Sequence, residues 1–177
     1  MRVRRVVLLP LLVLLGTACG RVPSGDGRKS QPARVEQRLG DLLVTVTYNR
    51  PAARGRKLFG GIVPWDSVWC PGADEATTIE VSDDVVLGGR PLPKGRYSVW
   101  AIPRPAEWTL VLSRKWDVPH VPYPAGDDAL RLAVRPTAAA HVESLLYAFP
   151  AATPDSAVLS LRWGTTEVAL PLRPAGR

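Results

Sequence analysis

Beyond residue 40 the chain alternates apolar and polar positions with a period of two. Leu42, Val44, Val46 and Tyr48 alternate with Leu43, Thr45 and Thr47, and Ile79 and Val81 with Thr78, Glu80 and Ser82. Successive side chains on a strand point to opposite faces, so this pattern predicts β-strands with one buried face. Val85 to Leu87 runs into the turn signal Gly88-Gly89, and Pro93-Lys94-Gly95 marks a second turn before a strand over 96–102. The series continues over 107–112, 129–135, 142–149, 157–163 and 167–172. Three of these strands show a plainly apolar face: Leu130, Leu132 and Val134; Leu159, Leu161 and Trp163; Val168, Leu170 and Leu172. No helical periodicity longer than two turns follows the first eighteen residues. The expectation is an all-β domain of eight or nine strands, folded as an antiparallel sandwich or jelly roll, with a β-barrel as the alternative. Pro171 cannot donate to a ladder, which predicts an edge position for the last strand.

The N-terminus follows a different pattern. Met-Arg-Val-Arg-Arg precedes an apolar run from Val6 to Leu15, then Gly16-Thr17-Ala18 and Cys19. That is the layout of a secretory signal, and the run is about half of the roughly 20 apolar residues a spanning helix needs. Small residues directly before a cysteine match a lipobox, so residues 1–18 are expected to be a signal peptide and Cys19 the lipidated residue, carrying diacylglycerol and a further acyl chain such as palmitate. Two or more chains hold a protein on a membrane essentially permanently. Residues 19–38, rich in Gly, Pro, Ser, Arg and Gln, read as a flexible tether, and 39–177 as one domain. The expected location is the cell envelope on the periplasmic side. Gly20, where inner-membrane retention would use aspartate, favours the outer membrane. With Cys19 lipidated, Cys70 has no disulfide partner and is expected to be a small buried hydrophobe.

The formal charge of +7 invites a nucleic-acid reading until it is located. Removing Arg2, Arg4 and Arg5 with the signal leaves 20 basic against 16 acidic residues, and residues 19–38 hold five basic and two acidic ones. The domain is therefore nearly neutral, without the basic stripe a nucleic-acid binder needs. The excess belongs to the leader and the tether, near anionic head groups.

The segment from Asn49 to Thr77 has few strand signals over more than twenty residues, and long loops in compact domains tend to carry function. Its residues Tyr48, Arg50, Pro51, Gly55-Arg56-Lys57, Phe59-Gly60-Gly61, Val63-Pro64, Trp69, Gly72-Ala73 and Glu75-Ala76-Thr77, with Leu92-Pro93-Lys94-Gly95-Arg96-Tyr97-Ser98, Ile102-Pro103 and Trp108, resemble the pattern of the family catalogued as domain of unknown function 2911. The resemblance covers about residues 40–135. It implies an exported β protein and carries no activity with it. Two positions depart from that pattern: Cys70 stands where the family has arginine, and Asp74 where it has asparagine. An anion site inferred from the family is thereby undermined.

From residue chemistry, Arg56, Lys57, Trp65, Trp69, Asp74 and Glu75 are the ligand-binding candidates, with aromatic faces to stack on a sugar or peptide and charged groups to bond its edges. The competing reading makes the tryptophans a plug at the end of the sandwich and pairs Arg56 and Lys57 with Asp74 and Glu75. A second function class is an envelope hydrolase using Asp74, Glu75 and Asp66. Adjacent carboxylates on a strand point apart, so this requires the backbone to turn at Asp74. Neither Gly-x-Ser-x-Gly nor His-Glu-x-x-His occurs, and a zinc site of His120, His141 and Glu143 is the weakest of the readings. No cofactor and no metal is predicted. A third class is an envelope-assembly module that presents an open sheet edge or apolar patch to a protein partner. Binding or assembly ranks ahead of catalysis.

Overall fold

Ten strands build two antiparallel sheets in the computed structural model, which describes residues 29–176. The expected signal peptide and Cys19 lie outside the described residues. The first sheet has six strands in the order β1 (Gln31–Leu39), β2 (Leu42–Arg50), β3 (Thr78–Val81), β6 (Gly95–Ile102), β7 (Trp108–Ser113) and β8 (Asp128–Val134). The second has four, in the order β5 (Arg90–Leu92), β4 (Val85–Leu87), β10 (Ala157–Pro174) and β9 (Thr137–Ala152). The sheets do not close into a barrel, and the all-β sandwich stands.

The apolar faces meet where the alternation places them. Val44, Val46, Tyr48, Ile79, Leu110, Leu112, Leu130 and Leu132 from the six-stranded sheet pack with Leu145, Tyr147, Leu159, Leu161, Val168 and Leu170 from the other in one buried cluster. Each such aliphatic side chain contributes about 1.5–3 kcal/mol on full burial. The outer face of the six-stranded sheet carries a second, smaller core of Cys70, Ala76, Trp100 and Val111, roofed by Val118 and Tyr123.

Three expectations need correction. The domain does not start at Leu39: β1 occupies Gln31–Leu39, where a tether was expected, and pairs with β2 from Gln31↔Arg50 to Leu39↔Leu42. Its half-exposed burial blurs the alternation, because an edge strand buries little on its outer side. Second, 157–163 and 167–172 form one strand. Register shifts between Arg162, Gly164 and Thr166 mark a bulge at Gly164 (φ 58°), which bends the strand without ending it. Third, β10 is an inner strand between β4 and β9. Pro171 is tolerated because its pairing with β9 has ended at Glu167↔Thr137, and its carbonyl still accepts from Gly88 N–H at 2.8 Å.

One corner joins the sheets. The chain leaves β2 at Pro51 and runs along β9, where Ala53 N–H donates to Glu143 O (2.8 Å) and Leu145 N–H to Pro51 O (3.0 Å). This fixes where the long loop 51–77 begins.

Candidate functional site

The loop 51–77 divides into two parts. In the first, residues 51–69, Phe59 packs against Trp108 (4.7 Å between ring centroids) and Trp69 stacks on Trp163 (5.8 Å, 14° between planes). Trp163 Nε1–H donates to Glu143 O, and Trp69 exchanges backbone hydrogen bonds with Ala101. Aromatic pairs add about 0.5–1.5 kcal/mol beyond area burial, so this cluster anchors the loop. Trp69, named above as a ligand-binding candidate, packs here as the competing plug reading describes. Trp65 remains 36 % exposed and lies over Gly60, where a Cβ would fall 2.2 Å from its Nε1.

The expected pairing of Arg56 and Lys57 with Asp74 and Glu75 is not formed. Arg56 donates instead to the carbonyls of Ala53 (2.9 Å) and Ala52 (2.7 Å), closing the turn after β2. Together with Phe59, Trp65, Trp163, Thr165, Thr166 and His141 it borders a shallow cleft of about 480 Å³ at the loop end of the sandwich. Asp66 stands apart from both other carboxylates and is held by Arg104 at 2.6 Å. Asp66 lines no groove with Asp74 and Glu75.

The second part of the loop builds a different place. Asn49, at the outward-facing end of β2, is 5 % exposed beneath residues 73–75. Its Nδ2 donates to Ala73 O and to Glu75 Oε2, both at 2.8 Å. That fixes the amide orientation, since the flipped amide would set its oxygen against two oxygens. Asn49 Oδ1 is consequently buried with no donor, and so is Asp74 Oδ2. Asp74 adopts φ 64°, so the backbone does turn there, and Asp74 and Glu75 border the same groove. The turn is held from outside by His120, whose Nδ1–H donates to Asp74 O (2.6 Å), and by Ala76 N–H donating to Val118 O. A carbonyl can only accept, which assigns the proton to Nδ1.

The groove, about 500 Å³, runs over the outer face of the six-stranded sheet. Thr47, Asn49, Thr78 and Arg96 form its floor, and residues 116–119 its far wall. Trp116 is 40 % exposed, with the Arg96 guanidinium 4.6 Å from its ring centroid. Arg96 also donates through Nε to Glu80 Oε2 at 2.9 Å. Asp74 and Asp117 border the groove, and its one lining cation among the described residues is the already paired Arg96. The arrangement suits a ligand that donates hydrogen bonds and repels an anion.

Of the residues that line the groove, the sequence pattern points to Asp74 and Glu75 and does not single out Asn49, Arg96, Trp116 or Asp117. The available signal was the 14-residue connection 114–127, long and proline-rich between two short strands. His120 and His141 are not brought together: His141 lies on exposed β9 with Nε2 4.0 Å from Glu143, and among the described residues no group of three metal-ligating side chains forms.

Cys70, one of the two residues that depart from the family pattern, is 2 % exposed. Burial raises its thiol pKa to about 11, partly opposed by Thr77 N–H, which donates to Sγ at 3.3 Å. A neutral thiol there asks nothing of Glu75, which Asn49 holds. Tyr147 OH and Thr77 Oγ1 both donate to Pro71 O and close this layer beneath the groove.

A family model matches residues 30–172, described as "Protein of unknown function (DUF2911)". The match begins one residue before β1 and ends within β10, extending past both limits of the resemblance seen in the sequence. No curated protein and no solved structure matches the chain.

Proposed function

Because this chain belongs to the DUF2911 family, whose description names no activity, we propose its function from the site: an exported, membrane-tethered binding module whose groove takes a ligand rich in hydrogen-bond donors. The supporting observation is that Asn49 and Asp74, which line one groove, each hold a buried acceptor, Oδ1 and Oδ2, without a donor. A buried unsatisfied polar atom costs about 1–3 kcal/mol, and native folds retain few of them. A hydroxyl- or amine-bearing ligand, such as a glycan or a peptide with a basic side chain, supplies both donors, and Trp116 offers an aromatic edge for its apolar faces. The tether is the lipid on Cys19 inferred from the lipobox, and an anchor there supports a location in the cell envelope.

A thermal-shift panel tests this reading. Amine-bearing and neutral oligosaccharides are expected to raise the melting temperature by mass action, reaching about 2.7 kcal/mol at a hundredfold excess over Kd. Inorganic phosphate should not. The Asp74→Asn variant, which restores the residue of the family pattern, should lose most of the shift with the amine-bearing ligands. A panel in which phosphate stabilises and the donor-rich ligands do not would overturn the proposal.

A further inference from the structure

The chain enters the domain at the end of the sandwich that carries the first part of the long loop. Gln31 pairs with Arg50, so the start of β1 lies beside the residue from which 51–77 departs. At the same end, Asp66 N–H donates to Pro103 O, seating the loop on the β6–β7 connection. Five large hydrophobic side chains are exposed among the described residues. Three of them, Ile62 (44 %), Trp65 (36 %) and Val68 (42 %), fall within this one stretch. Within the stretch Arg50, Arg54, Arg56 and Lys57 stand against one acidic residue, Asp66, which Arg104 neutralises, and Glu143 reaches it from β9, its carboxylate accepting the Arg54 backbone N–H. An exposed tryptophan with aliphatic neighbours and a basic surround matches the interface of an anionic bilayer: apolar groups enter the acyl boundary and cations remain at the head groups.

We propose that this loop rests on an anionic membrane surface, with Ile62, Trp65 and Val68 in the interface and Arg54, Arg56 and Lys57 toward the head groups. The contact follows from residues of the domain itself. Its orientation rests on the tether reading above: Cys19 precedes Ser30 by 11 residues, a reach of at most about 40 Å. Bound in this way, the protein keeps the Asn49–Asp74 groove, on the outer face of a sheet, beside the membrane and open to ligand.

The experiment uses the chain from residue 19 onward with Cys19→Ser, so that no lipid contributes, and vesicles carrying brominated acyl chains. The protein should sediment with phosphatidylglycerol-containing vesicles and not with pure phosphatidylcholine, and its tryptophan emission should be quenched by the bromolipids. Ile62→Asn combined with Lys57→Gln should lower the partition coefficient at least about tenfold, the lysine alone accounting for roughly fivefold, with an unchanged melting temperature. Equal partition of the variant and the parent, or no preference for the anionic vesicles, would overturn the contact. Mass spectrometry of the membrane-extracted protein addresses the orientation separately: a lipid-sized mass on Cys19 supports it, and an unmodified Cys19 overturns it while leaving the vesicle result to stand.

Discussion

If Asp74 is kept for a ligand, removing its carboxylate should make the empty protein more stable. Asp74 sits at φ 64°, a conformation that costs an ordinary L-residue about 1–2 kcal/mol and glycine almost nothing. Glycine in turn loses about 0.5–1 kcal/mol through the greater freedom of its unfolded chain. These two contributions nearly cancel in Asp74→Gly. What remains is relief of the buried, donorless Oδ2, about 1–3 kcal/mol. For a domain of this size each kcal/mol moves the melting temperature by about 2–4 °C. Asp66→Gly is the matched control: it has the same left-handed backbone, φ 59°, but its carboxylate is paired with Arg104 on the surface. Loss of an exposed pair costs about 0–1 kcal/mol, so the control should be neutral or slightly destabilised. Thermal denaturation of both variants without ligand separates the backbone contribution from the carboxylate. A lower melting temperature for Asp74→Gly than for Asp66→Gly would refute the reasoning, because Asp74 would then serve folding.

Two further predictions concern the layer beneath the groove. The Cys70 thiol, raised from 9.0 to about 11, contributes stability that is fully present below pH 9 and is lost as pH rises through 11. The two-unit difference corresponds to about 3 kcal/mol, and Tyr147, raised in the same direction by burial, adds to it. Urea titrations at pH 8 and pH 11 should show this loss, and Cys70→Ala should show a visibly smaller one. Tyr48→Phe removes the hydroxyl that accepts Tyr147 N–H at 3.1 Å. It should cost about 1–3 kcal/mol in a urea titration at neutral pH, since that N–H is left buried and unpaired.

The alternation in Leu42 to Tyr48 and in Leu130 to Val134 made the sandwich legible, because in both strands one face is dry. β1 was illegible for the opposite reason: Val35 and Ala33 are only half buried on an edge, and Gly, Pro and Arg before them dilute the pattern. The pattern divides 157–163 from 167–172 because a bulge and a turn use the same residue, here Gly164. Of the groove, the sequence pattern marks only the local part, Asp74-Glu75. Asn49 reaches the groove from 25 residues before Asp74, and Arg96 and Trp116 from 21 and 41 residues after Glu75. Such convergence is set by strand order, which local pattern does not encode. The supposed pairing of Arg56 with Glu75 failed because the carbonyls of Ala52 and Ala53 lie only four and three residues away.

The most direct test is an amide NMR titration of the isotopically labelled protein with an amine-bearing oligosaccharide. The account predicts shifts at the Asn49 side-chain amide, the Glu75 backbone amide and the Trp116 indole, with Trp65 and Thr166 in the loop-end cleft unmoved. Shifts confined to Trp65 and Thr166, or none at saturating ligand, would contradict it.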